Sequence, residues 1–77
     1  MPTILRIGPY RFFFYSNENN EPPHIHVERD DESAKFWLQP ISVATNDGFS
    51  SKELKDLYLI VVANRELFVN SYIEFHG

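Results

Sequence analysis

The chain has 77 residues and no cysteine, which excludes disulfides, a thiolate metal site and a cysteine nucleophile. A domain this small buries only about 60% of its unfolded surface, so its core must be dense, and an aromatic share of 16% (seven Phe, four Tyr, one Trp) supplies the bulk. A formal net charge of −4 speaks against non-specific duplex DNA binding, which rests on many Lys and Arg contacts to phosphates.

Met1-Pro2-Thr3 has no basic n-region and no long apolar run follows it, so neither a signal peptide nor a membrane span is expected. The lack of cysteine fits a reducing compartment, and the expected location is cytoplasmic. Residues 3–7 are short and β-branched and stop at Gly8-Pro9, a strand and a tight turn. In residues 10–15, Tyr10, Phe12 and Phe14 take one face of a strand, and Arg11, Phe13 and Tyr15 the other. A strand apolar on both faces is covered on both. One cover is helices of this chain, and the second is expected to be another molecule. Residues 16–21 are all polar and read as an exposed loop. Pro22-Pro23 holds its exit extended and cannot donate to a ladder.

In the strand 24–29, His24, His26 and Glu28 stand on one face, with Ile25 and Val27 on the other. A hairpin centred between Asp31 and Glu32 joins it to a strand at 34–38. That register sets Glu28 opposite Lys35, His26 opposite Trp37, Val27 opposite Phe36 and Ile25 opposite Leu38. Pro40 ends the strand, Ile41–Ala44 is a short extended segment, and Thr45–Gly48 is a loop. Ser50 with Glu53 three residues later forms a capping box for a helix over 51–63. Asn64 is expected as the N-cap of a second helix over 65–75. Gly77 closes the sequence, and no further segment is expected to carry function. The expected fold is a single α+β domain, with a small twisted antiparallel sheet of about four strands and two C-terminal helices packed on one face.

Three chemistries fit the His24/His26/Glu28 face. As a metal site, His24 and His26 at i and i+2 would take a divalent ion, with Glu28, Asp30 or Glu18 as a third ligand. His76 is the remaining imidazole. As a metal-free nuclease site, one histidine is general base and the other general acid, Glu28 assists, and Arg11 and Lys35 contact phosphate. As a structural face, His26 stacks on Trp37, His24 hydrogen-bonds loop backbone and Glu28 pairs with Lys35. Phe13, Tyr15 and Trp37 read either as a stacking platform for RNA bases or as the centre of a protein interface, and the acidic chain favours the interface.

Residues 1–8, Tyr10–Asn17, Pro22-Pro23-His24-Ile25-His26-Val27-Glu28-Arg29, Ala34–Leu38 and Gly48-Phe49-Ser50 resemble the bacterial family termed domain of unknown function 4160. The resemblance covers essentially the whole chain, and PPHIHVE is its specific part. Members of that family often have glycine-containing turns after Glu-Arg, where this chain has Asp30-Asp31-Glu32. The helical segments Val61-Val62-Ala63 and Leu67-Phe68 are more apolar than the resemblance leads one to expect, which suggests a covered surface. The resemblance implies a small cytoplasmic component of a toxin–antitoxin-type two-gene module. Its partner would be a small protein from a neighbouring gene, similar to domain of unknown function 2442, or a second copy. The expected function is therefore partner binding through the aromatic and histidine sheet face, with no cofactor. The alternatives are a His-dependent ribonuclease-type toxin acting through His24, His26 and Glu28, and a metal-binding regulatory domain.

Overall fold

The computed structural model describes residues 3–15 and 20–76. Strands β1 (Thr3–Ile7), β2 (Tyr10–Phe13), β3 (His24–Arg29), β4 (Glu32–Leu38) and β5 (Ile41–Asp47) precede helices α1 (Ser51–Ala63) and α2 (Arg65–His76). The strands pair in chain order as one antiparallel meander. The α+β class expected from the sequence is the one observed, with five strands in place of about four. The added strand is β5, which runs past Ala44 to Asp47 because Ala44 is accommodated as an extra residue between the pairs Lys35–Thr45 and Phe36–Val43. β1 holds a similar irregularity at Ile4, between the pairs Thr3–Phe13 and Leu5–Phe12. β2 stops at Phe13, two residues before the expected end.

One face of the sheet packs on the helices. Phe12, Phe14, Ile25, Val27, Ala34, Phe36 and Leu38 alternate onto it and meet Leu57, Val61, Phe68, Val69 and Tyr72 from the helices. Phe12 stacks on Phe68 at 5.4 Å, and Phe14 meets Tyr72 edge-on at the same centroid distance. Each large apolar side chain fully buried in this layer contributes about 1.5–3 kcal/mol. Among the described residues no helix is long and apolar enough to cross a membrane.

The β3–β4 register differs from the expected one by two residues. His24 faces Trp37, Ile25 faces Phe36, His26 faces Lys35, Val27 faces Ala34 and Glu28 faces Ser33. The turn is shorter than expected, with only Asp30 and Asp31 between the paired Arg29 and Glu32. Asp30 supplies the left-handed backbone (φ 53°) that the missing glycine would otherwise give, a conformation that Asp tolerates better than most residues. A slip of two preserves the face of every side chain, so the apolar pattern alone cannot choose between the two registers.

The ends of the elements are fixed by specific polar groups. The Ser50 hydroxyl accepts from the Glu53 amide at 3.1 Å, one half of the capping box, while the Glu53 carboxylate turns to Tyr10 and Arg29. The Asn64 carbonyl accepts from the Phe68 amide at 3.0 Å, as an N-cap carbonyl does. The Asn64 side chain does not cap α2, however. Its Nδ2 donates back to the Ile60 carbonyl at 2.9 Å and closes the end of α1. The Ile60 carbonyl thus accepts from both the backbone amide of Asn64, at 3.1 Å, and its side chain. At the turn end of the sheet, the Glu53 carboxylate takes the Tyr10 hydroxyl at 2.7 Å and the Arg29 guanidinium, which also pairs with Glu32. Hydrogen bonding to Glu32 holds Arg29 above its ordinary pKa, and the bond to Glu53 raises that of Tyr10. Helix α1 is thereby tied to β2 and to the β3–β4 hairpin.

Candidate binding face

The other face of the sheet lies outside the helix layer. Its side chains fall in cross-strand rows fixed by the pairing. Arg6, Arg11, Glu28, Ser33 and Asp47 form one row, and Phe13, His26, Lys35 and Thr45 the next. His24, Trp37 and Ser42 form the third, with Tyr15 just past the end of β2. All eight residues singled out from the sequence therefore share one surface. Of the pairings expected of them, only the loop-backbone bond of His24 forms.

Glu28 pairs with Arg11 at 3.3 Å, across β2–β3, and not with Lys35. Arg11 also lies over the Phe13 ring at 4.4 Å and donates from Nε to Thr3 Oγ1 at 2.7 Å. Lys35 pairs with Glu21 and sits over Trp37 at 4.5 Å. Both corrections follow from the register, which places Lys35 opposite His26 and leaves Glu28 nearest a cation on the other neighbouring strand. His26 does not stack on Trp37. It lies on Phe13 at 5.5 Å, nearly parallel, and edge-on to Tyr15 at 4.6 Å. Phe13 is consequently only 2% exposed although no helix covers it. The aromatic end of the surface presents Tyr15, 37% exposed, with half-buried His26, Lys35 and Trp37, while Arg6, Ser33, Ser42, Thr45 and Asp47 are exposed along the rest of it.

His24 is fully buried. Its Nδ1 donates to the Pro22 carbonyl at 2.9 Å, which is the backbone role the structural reading assigned to it. A carbonyl only accepts, so Nδ1 carries the hydrogen. The ring meets His26 at 5.1 Å, Trp37 at 5.9 Å and Tyr72 at 5.2 Å. The diproline step explains the local structure. Neither proline donates, yet the carbonyls of Glu21, Pro22 and Pro23 all accept, from the Tyr72 hydroxyl, His24 and the Leu38 amide respectively.

Three residues touch this face that the sequence did not single out for it. Glu21, expected in an exposed polar loop, neutralises Lys35. Tyr72 falls within the second helix, where the sequence assigns it no site role, and His76 stands only as the remaining imidazole. They lie 51 and 61 residues from the groups they bond, and no local pattern encodes contacts of that separation. Among the described residues no three His, Asp or Glu side chains converge as a metal site, and Glu18, one of the third ligands considered, lies outside them.

Together these features define a small α+β domain, a five-stranded meander with helices on one face and an aromatic, histidine-bearing surface on the other. The chain belongs to the family described as Domain of unknown function (DUF4160), whose model matches residues 10–72. No curated protein and no solved structure matches it.

Proposed function

We propose that this chain is the partner-binding component of a cytoplasmic two-gene module of toxin–antitoxin type, and that it takes its partner on the aromatic and histidine face. The observation that carries the reading is the state of that face. Tyr15 and His26 pack over a ring, Phe13, that is already sealed, and Trp37 stands beside them across His24. Rigid aromatic groups flanked by paired charges are what protein interfaces concentrate at their centres. The family resemblance supplies the candidate partner, a small protein encoded next door and similar to domain of unknown function 2442.

The ribonuclease reading needs two accessible imidazoles and free cations for phosphate. His24 is fully buried with Nδ1 engaged, and Arg11 and Lys35 already hold Glu28 and Glu21. These contacts favour binding over catalysis. The neighbouring gene product should co-purify with this chain, and Trp37→Ala should weaken the complex by about 2 kcal/mol or more while its melting transition stays cooperative. A complex unaffected by Trp37→Ala would rule the face out. Growth inhibition on overexpression that disappears in His26→Ala would instead move the argument to the nuclease.

A further inference from the structure

The connection between β2 and β3 is held at both ends from outside the sheet. Just past the end of β2, the Tyr15 carbonyl accepts from His76 Nε2 at 3.0 Å, the shorter of that ring's two carbonyl contacts, Nδ1 lying 3.3 Å from the Tyr72 carbonyl. At the exit, the Glu21 carbonyl accepts from the Tyr72 hydroxyl at 2.8 Å. Both donors stand on the last turns of α2, and their rings are in contact at 4.2 Å. The Tyr72 ring also lies against His24, which touches His26 and Trp37, and Tyr15 lies on His26. Each ring at the accessible end of the face is thus reached from α2 through one or two contacts. Tyr72 is itself buried, at 5% exposure.

We infer that Tyr72 and His76 are positioning residues for the binding face. They fix where Tyr15, His26 and Trp37 stand without forming part of the contact surface. The inference rests on the proposed reading of that face as the binding surface. Its physical basis is preorganisation: rings already held in place lose less freedom when a partner docks, so releasing them weakens binding without removing any contact.

Two substitutions separate positioning from bulk stability. Tyr72→Phe keeps the ring and removes the hydroxyl, and His76→Phe keeps a ring beside Tyr72 and removes the Nε2 donor. Tyr10→Phe is the control, since it deletes a hydroxyl hydrogen bond at the turn end of the sheet. Both α2 variants should shift the ring resonances of Tyr15, His26 and Trp37 while the amides of Arg6, Glu28 and Asp47, in the far row of the same face, stay in place. Shifts spread evenly over the face, or none at the three rings, overturn the inference. With the neighbouring gene product as probe, both α2 variants should bind at least fivefold more weakly and Tyr10→Phe should bind like wild type. If Trp37→Ala weakens binding and the α2 variants do not, the positioning inference alone fails. If Trp37→Ala has no effect, the reading of the face fails, and the ring resonances still decide the positioning.

Discussion

At Gly48 the backbone takes φ +107°, and a β-carbon there would lie 2.8 Å from Glu32 Cγ. Both facts argue against any side chain, because the left-handed backbone strains L-residues and the space is occupied. Gly48→Ala should therefore cost about 1–3 kcal/mol, read as a lowered urea midpoint with an unchanged slope. Tyr10 makes a prediction of a different kind. Its hydroxyl bond to Glu53 raises its pKa in the folded protein above the ordinary 10.0 of an unfolded chain. The folded state holds that proton more tightly, so its contribution is complete below about pH 10 and is lost as pH rises through the folded value. Stability followed by urea titration should decline above pH 10, and Tyr10→Phe should make that decline shallower. An identical alkaline limb in the variant would show that the bond to Glu53 carries no such linkage.

The β3–β4 hairpin shows where an element can and cannot be read from residues. Alternation in His24–Arg29 and in Ala34–Leu38 fixed which side chains share a face, and both faces are as expected. The register was legible only to within two residues, because a shift of two keeps the pattern intact. What decides it is Asp30 at φ 53°, a conformation that composition does not announce. Asp30→Gly should leave stability within about 0.5 kcal/mol of wild type, whereas Asp30→Val should cost about 1–2 kcal/mol, both measured by thermal melting. The helices were legible for the opposite reason. Ser50 and Asn64 act through neighbours at most four residues away, so their roles are written locally. Even there Asn64 serves both helices, its carbonyl opening α2 and its side chain closing α1, and the sequence does not say which group does which. Of the candidate site, the shared face was readable from period-two spacing, and its pairings were not. They depend on which cation lies across which neighbouring strand.

For the molecule as a whole, the aromatic core carries a stability that a chain of 77 residues has little to spare. Roughly 0.05–0.15 kcal/mol per residue places the total near 4–12 kcal/mol. Phe68 is fully buried and stacked on Phe12, between α2 and β2. Phe68→Ala should cost about 3–5 kcal/mol, enough to populate unfolded chains at 37 °C. Near-ultraviolet circular dichroism would register this as lost aromatic signal. A variant retaining full signal and melting temperature would mean that the two layers hold together without this contact.

The extra residues Ile4 and Ala44 both sit in the outermost strands of the sheet, β1 and β5. Such an insertion bends its strand and breaks the even spacing of outward-pointing amides and carbonyls that another chain would need in order to extend the ladder. The consequence is colloidal. A protein with an open five-stranded sheet and two long sides still gives filament growth no regular template, so concentrated solutions should remain free of fibrils by light scattering and thioflavin fluorescence.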